Sequence, residues 1–221
     1  IWSPTIRDWR DVIEDYIEIS KKRRNNKFAM FKFQTNLISD IVLINDIIKG
    51  YKDLIENPEE RKKKFPTLEV TEENIKYWEE ELKSHKIILS ALKDIGDGIA
   101  WRLLEYKRSL IYNMCVNNED CGPLVVNQGL ITELHALGDY ANDLEVVNFV
   151  YHGITKFLLI GDLTLKYSNG DINFVEIKSQ KNQRGSSLKE RVERQKARAD
   201  NLITIANEGE GVSSGVFLGV R

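Results

Sequence analysis

The sequence predicts a mixed α+β or α/β protein with an all-helical first half. Apolar residues recur at helical spacing through roughly the first 115 residues, and no strand-like run interrupts them. The remainder has the order helix, strands, helix and strand, which is typical of an α/β sandwich. The boundary between the two patterns is expected at residues 117–127. We therefore predict a helical domain at residues 1–116 and an α/β domain at residues 117–221.

The first two helices follow from local start and stop signals. Ser3 is a hydroxyl N-cap and Pro4 suits the first helical position, so a helix begins there. A longer helix is expected over residues 28–55, broken near Gly50 because glycine disfavours helix interiors. Pro66 and the lysine run at residues 62–64 then mark a loop before the third helix, and we interpret the run as a solvated helix end rather than a DNA contact.

The third helix has the clearest start. Thr71 is an N-cap, and the two glutamates that follow it lie near the positive end of the helix dipole. We expect this helix to run to about residue 95 and to end at the Gly-Asp-Gly sequence of residues 96–98. A further helix is expected over residues 99–114. The helical half carries no recognisable motif, and we expect it to provide partner, dimer or DNA contacts.

The second half contains the predicted strands. A helix is expected at residues 128–141 and a strand at residues 146–151. Two apolar runs joined by Ser-Asn-Gly predict a β-hairpin over residues 160–179. A helix over residues 186–207 and a strand over residues 212–220 complete the pattern. Because an apolar run reaches the last residue, we expect the natural chain to continue.

Three charged residues lie in the apolar strands of the hairpin. They are Asp162, Glu176 and Lys178, and charged side chains in such strands are costly unless they are paired. A two-residue turn would put the two carboxylates on opposite faces of the sheet. A three-residue loop with Gly170 in the left-handed region would put Asp162 opposite Glu176, with Lys178 on the same face. We predict the three-residue loop, and a divalent metal ion held by the carboxylates would supply the pairing.

These residues resemble the PD-(D/E)XK nuclease superfamily of restriction-endonuclease-like proteins. The resemblance covers about residues 128–218, and it rests on the order of four motif elements along the chain. These are Glu133 on a helix, Gly161-Asp162 on a strand, Glu176-Ile177-Lys178 on the next strand and Gln195 on a helix. Superfamily members carry a short mixed β-sheet flanked by helices. The resemblance therefore implies this fold and a metal-dependent endonuclease that hydrolyses DNA phosphodiester bonds.

The resemblance also implies a role for each motif residue. The expected metal ligands are three carboxylates and one main-chain carbonyl, from Glu133, Asp162, Glu176 and Ile177. Oxygen ligands of this kind suit one or two Mg²⁺ ions, for which Mn²⁺ would substitute. The metal would polarise the scissile phosphate and lower the pKa of a bound water. Lys178 would position that water, and Gln195 would steady the phosphate and the scaffold.

The charge distribution argues in two directions about nucleic acid. The net charge of −2 argues weakly against it, because nucleic-acid-binding proteins usually show a basic excess. Residues 178–198, however, contain eight Lys or Arg and two Glu, a local excess of 8 − 2 = +6. We expect contacts to the DNA phosphate backbone from the basic residues of this stretch. They are Lys181, Arg184, Lys189, Arg191, Arg194 and Arg198.

The composition favours a cytoplasmic protein. No apolar run approaches the roughly 20 residues that a membrane-spanning helix needs, so no membrane partner is expected. No secretory signal is visible at the start of the sequence. Cys115 and Cys121 are read as free cytosolic thiols, although a regulatory disulfide between them stays open. With three histidines and no Cys-x-x-Cys motif, a zinc site is not expected.

Two other functions stay open beside the DNA nuclease. The chain could be a catalytically silent nuclease-fold scaffold or a nucleic-acid-binding subunit of a larger complex, with the helical half as its docking surface. It could also cleave RNA, since no residue decides between the two substrates. The resemblance further implies a restriction or antiviral-defence effector, acting as a homodimer or within a larger defence complex.

Overall fold

The computed structural model describes residues 6–22, 26–67, 70–108, 111, 123–158, 161–178 and 216–220. Over these residues the protein is a mixed α+β structure of five α-helices and one four-stranded sheet. The helices are α1 (Ile6–Lys22), α2 (Lys27–Glu56), α3 (Pro58–Lys64), α4 (Glu72–Leu103) and α5 (Gln128–Asn142). The strands are β1 (Val146–Tyr151), β2 (Leu163–Tyr167), β3 (Ile172–Lys178) and β4 (Val216–Val220). None of the described helices combines the length and apolarity needed to span a bilayer.

Helix α2 forms the centre of the helical half. It begins where the Asn26 side chain accepts the Ala29 N–H, which caps a main-chain donor that has no partner within the helix. Leu37, Ile41 and Ile44 follow at helical spacing and are completely buried. This face of α2 packs mainly against α4, and it also reaches α5 and β1.

The predicted break of this helix near Gly50 is wrong. Helix α2 continues through Gly50 to Glu56, two residues before Pro58. A glycine in a helix costs only about 1 kcal/mol, and burial of apolar residues such as Ile48 outweighs it. The interpretation of the lysine run as a solvated helix end is confirmed. Residues 62–64 form the last turn of α3, where positive charge is favoured by the helix dipole.

The Gly-Asp-Gly sequence of residues 96–98 does not end α4, as we had predicted. The Thr71 cap is confirmed, but the helix runs without a break to Leu103, so no separate helix begins at residue 99. A Cβ atom on Gly96 would lie 2.0 Å from the Ile154 carbonyl oxygen. Gly96 is therefore explained by close packing between α4 and the segment after β1 rather than by chain termination. The helix ends just before Glu105 and Tyr106, which both have positive φ.

The four strands form a mixed sheet in the order β1-β2-β3-β4. The β1–β2 and β2–β3 pairs are antiparallel and the β3–β4 pair is parallel. The three-residue hairpin loop is confirmed. Tyr167 N–H donates to the Asp171 carbonyl, Gly170 N–H donates back to the Tyr167 carbonyl, and Gly170 has a φ of +92°. The predicted bounds of β1 are also confirmed, and those of α5 differ by one residue.

One hydrophobic core joins the helices to the sheet. Leu37 and Leu92 from the helices belong to the same buried cluster as Phe149 and Leu163 from the strands. The predicted domain boundary at residues 116 and 117 lies outside the described residues. Across the described residues the two halves pack against each other without a separating layer of solvent-exposed side chains.

Side chains from α2 also bind the main chain of β1, the outermost strand on one side of the sheet. Gln34 is buried, its Nε2 donates to the Phe149 carbonyl at 3.0 Å, and its Oε1 accepts the Tyr151 N–H at 2.8 Å. Lys27 Nζ donates to the Val146 carbonyl at 3.0 Å. The Asn148 side chain accepts the Phe149 N–H at 2.9 Å. These bonds satisfy main-chain groups that would otherwise be left without partners.

Candidate functional site

The hairpin brings Asp162 beside Glu176. Leu163 pairs with Val175 and Thr164 pairs with Phe174, and the same register carried outward sets Asp162 next to Glu176. Hydrogen bonds support this position. Asp162 N–H donates to the Val175 carbonyl at 2.7 Å, and Asp162 Oδ2 accepts the Ile177 N–H at 2.6 Å. Asp162 is therefore bonded to the residues on both sides of Glu176.

The Asp162 carboxylate is held against the backbone of β3. Its Oδ2 accepts from a main-chain N–H, and a hydrogen bond of this charge-assisted kind orients a carboxylate strongly. Asp162 and Glu176 are both half-buried, and Oε2 of Glu176 is shielded from solvent. Two carboxylates thus lie at one end of the sheet, where the β2–β3 ladder ends. Ile177 directly follows Glu176 in β3, so its main-chain carbonyl lies at the same end of the sheet as the two carboxylates.

Gly161 determines how the chain enters β2. Its φ is +71°, in the left-handed region that favours glycine. A Cβ atom at this position would lie 2.7 Å from the Val175 carbonyl oxygen, which accepts the Asp162 N–H. Both observations require glycine immediately before Asp162. The backbone geometry therefore explains the Gly161-Asp162 pair independently of the resemblance to the nuclease superfamily.

Glu133 lies at the same end of the sheet but in a different environment. It is on α5, where the Asn127 side chain caps the first turn. Its Oε2 accepts a hydrogen bond from the Tyr151 hydroxyl at 2.6 Å. Tyr151 pairs with Leu163, the residue that follows Asp162. We expected Glu133 to face a cation, and the partner that the structure gives it is a neutral phenol.

The three predicted carboxylate ligands do not form one cluster. Within the described ranges, no three His, Cys, Asp or Glu side chains are arranged to hold a metal ion together. Asp162 and Glu176 are brought together, whereas Glu133 is bonded to Tyr151. A metal bound by the described residues in this arrangement would therefore rely on the Asp162 and Glu176 pair, with the nearby Ile177 carbonyl.

Several predicted site residues lie outside the described part of the chain. The backbone of Lys178 pairs with Val220 of β4, while its side chain is outside the description. Gln195 and the whole predicted phosphate-binding set are also outside it. That set is Lys181, Arg184, Lys189, Arg191, Arg194 and Arg198.

Two residues next to the site were not predicted from the sequence. Tyr151 is the partner of Glu133, and His152 makes three hydrogen bonds to the segment that carries Asp162. The only sequence signal for either is their position at the end of an apolar strand. Their partners lie nine to eighteen residues away along the chain, so no local pattern reveals the contacts.

Comparisons with models of known protein families, with curated proteins and with solved structures find no match to this chain. The geometry of the hairpin and the order of the motif residues are the features of this chain that bear on its function.

Proposed function

We propose that the chain is a metal-dependent nuclease with a restriction-endonuclease-like fold, and that it hydrolyses DNA phosphodiester bonds. One observation carries the proposal: Asp162 is held beside Glu176 at the end of the β2–β3 hairpin. Lys178 lies two positions further along the backbone of β3, and the alternation of side chains along a strand predicts that it shares the face of Glu176. The mixed sheet, preceded by the helix that carries Glu133, supports the proposal because the superfamily combines the same parts.

The donor set at the hairpin fits a hard divalent cation. Asp162 and Glu176 offer carboxylate oxygens, and Ile177 offers a carbonyl oxygen, which are the ligand types that Mg²⁺ and Mn²⁺ prefer. When bound, such a metal supplies charge to the scissile phosphate and acidity to a coordinated water. The Ile177 N–H keeps one carboxylate oxygen of Asp162 in a constant orientation. Lys178 would hold the attacking water and stabilise the charge on the phosphate.

A second candidate function is a catalytically silent subunit with the same fold. The Glu133–Tyr151 hydrogen bond favours it, because a phenol satisfies the carboxylate that the active enzyme would direct to a metal. In that function the hairpin carboxylates would be structural. The two candidates differ in one measurable property, which is metal binding that depends on Asp162.

The test is cleavage of supercoiled and linear DNA with Mg²⁺, Mn²⁺ or EDTA, beside an RNA substrate. Asp162→Asn and Lys178→Ala are expected to lower the metal-dependent rate by at least about 100-fold. Asp171→Asn is the matched control, because it makes the same change at the opposite end of the same hairpin. It should leave the rate within about twofold of the unmodified chain, since it lies away from the proposed ligands.

Calorimetric titration with Mn²⁺ separates the two candidate functions. Binding that is lost in Asp162→Asn but retained in Asp171→Asn supports the nuclease, even where cleavage awaits an activating partner. A chain that neither cleaves nucleic acid nor binds Mn²⁺ contradicts the nuclease and supports the silent subunit. Cleavage of RNA alone would keep the chemistry and replace the substrate.

A further inference from the structure

His152 is a buried histidine directly after β1, and its bonds surround Asp162. Its side chain is 3% exposed. Its main-chain N–H donates to the Asp162 carbonyl at 2.9 Å, and its Nδ1 lies 3.0 Å from the Gly161 carbonyl oxygen. Its Nε2 lies 2.7 Å from Thr164 Oγ1. One residue is thus bonded to three of the four residues from 161 to 164.

The partners determine which ring nitrogen carries the proton. A carbonyl oxygen only accepts hydrogen bonds, so Nδ1 must be the donor to Gly161. The Nε2 atom of the neutral ring then accepts a hydrogen bond from the Thr164 hydroxyl. Both polar atoms of the ring are therefore satisfied inside the core, as burial requires. The ring also lies beside Phe174, with 6.4 Å between the ring centroids.

This arrangement holds the turn before Asp162 from the side opposite β3. On the β3 side, the Asp162 N–H and carboxylate are bonded to Val175 and Ile177. On the β1 side, the Gly161 and Asp162 carbonyls are bonded to His152. If the two ring bonds are lost, the Gly161 carbonyl and the Thr164 hydroxyl lose the imidazole as a partner, while the main-chain bond from His152 to the Asp162 carbonyl remains. The orientation of the Asp162 carboxylate should then loosen.

We propose that His152 is a positioning residue, which sets the orientation of Asp162 for metal binding. The proposal rests on the proposed nuclease function. The ring nitrogens are bonded to the Gly161 carbonyl and to Thr164, so the imidazole would act through these two residues rather than as a metal ligand. The geometry of its bonds gives this role to a histidine that was not predicted from the sequence.

Four variants test the positioning role. His152→Leu removes both ring hydrogen bonds, and Thr164→Val removes only the hydroxyl that binds Nε2. His152→Asn is the conservative variant, because its amide nitrogen replaces the donor to the Gly161 carbonyl at a similar distance from the backbone. His135→Asn is the control, since His135 is an exposed histidine on the neighbouring helix α5.

The first measurement does not depend on activity. Hydrogen exchange of the Ile177 amide reports the bond to Asp162 Oδ2. We expect His152→Leu to speed this exchange at least about tenfold, while the Leu165 amide in the middle of the sheet keeps its protection. His152→Asn should restore most of the protection at Ile177. A general loss of protection at both amides, or no change at Ile177, would overturn the positioning role.

The second measurement links the position of Asp162 to the metal. The Kd for Mn²⁺ should rise about 10–100-fold in His152→Leu, less in Thr164→Val and least in His152→Asn. Cleavage should be slower mainly because a higher metal concentration is needed to reach the half-maximal rate. An unchanged Kd beside a faster Ile177 exchange would overturn the link to metal binding. If the unmodified chain neither cleaves nucleic acid nor binds Mn²⁺, the nuclease proposal fails, and the link between His152 and metal binding fails with it. The exchange result still reports whether His152 positions Asp162.

Discussion

A hydrogen bond between Tyr16 and Asp40 joins α1 to α2. Tyr16 Oη donates to Asp40 Oδ2 at 2.5 Å, and the Tyr16 ring lies edge-on to Phe33. Burial raises the pKa of Tyr16 well above its ordinary value, and the hydrogen bond to Asp40 raises it further. Burial also raises the pKa of Asp40, partly offset by the bond from Tyr16. The two groups therefore affect stability in different pH ranges.

The free energy of unfolding should fall above about pH 10 because of Tyr16. Its folded-state pKa is raised, so its contribution is fully present below the unfolded pKa and is lost as the pH rises through and beyond that value. Tyr16→Phe should flatten this fall by up to about 1.4 kcal/mol per pH unit. Urea titrations from pH 9 upward measure the slope, with the exposed Tyr77 replaced by Phe as the control. Identical slopes in the two variants would contradict the expectation.

At the scale of residues, the sequence predicts what local turn chemistry decides. Gly170 after Asn169 favours the three-residue hairpin loop, and the length of this loop determines the register of Asp162 against β3. The partners of Glu133 and His152 could not be predicted in this way. Tyr151 and the Gly161 carbonyl reach them through tertiary packing, which leaves no periodic signal in the sequence.

At the scale of elements, α4 binds the segment that leads from β1 towards β2. The Asp97 side chain accepts the Lys156 N–H at 2.7 Å, and burial raises the pKa of this carboxyl above its ordinary value. Lys156 Nζ donates to Ser90 Oγ at 2.8 Å and forms an ion pair with Asp94. Gly96 lies between these contacts, directly against the Ile154 carbonyl.

The two glycines of α4 should respond in opposite directions to the same substitution. Gly96→Ala forces a Cβ atom against the Ile154 carbonyl and should lower the free energy of unfolding by about 1–3 kcal/mol or more. Gly98→Ala meets no atom within 4 Å and should raise it by about 0.5–1 kcal/mol. Urea denaturation of both variants measures the difference. Equal effects would mean that α4 does not approach this segment as described.

The same helices show where sequence patterns fail for elements. We predicted ends at Gly50 and at residues 96–98 because glycine lowers helix propensity. That preference is about 1 kcal/mol, and the buried apolar faces of α2 and α4 exceed it. The start of α4 at Thr71 was predicted correctly, because a cap is a local hydrogen bond within four residues.

At the scale of the whole molecule, the shared core predicts one unfolding transition. All four tryptophans precede residue 102, so their fluorescence reports the helical half. The amides of Leu165 and Val175 report the sheet. We expect both signals to change at the same urea concentration, since Leu37 and Phe149 belong to one buried cluster.

Deleting residues 1–115 tests whether the second half can fold without the helical half. The shortened chain should show no cooperative unfolding, because the apolar surface of β1 would lose its cover from α2 and α4. Two separate midpoints in the full chain, or a stable shortened chain, would contradict the single core. The sequence predicted a change of composition between the halves, but contacts between segments about 100 residues apart cannot be inferred from composition.

Gln34 has a consequence for how copies of this chain meet. An outermost strand with unbonded main-chain groups is a template on which another strand can add, and such addition leads to aggregation or domain swapping. The Phe149 carbonyl and the Tyr151 N–H are already hydrogen-bonded to the Gln34 side chain, and the Val146 carbonyl accepts from Lys27. A second copy therefore cannot extend the sheet along this stretch of β1 unless α2 first moves away.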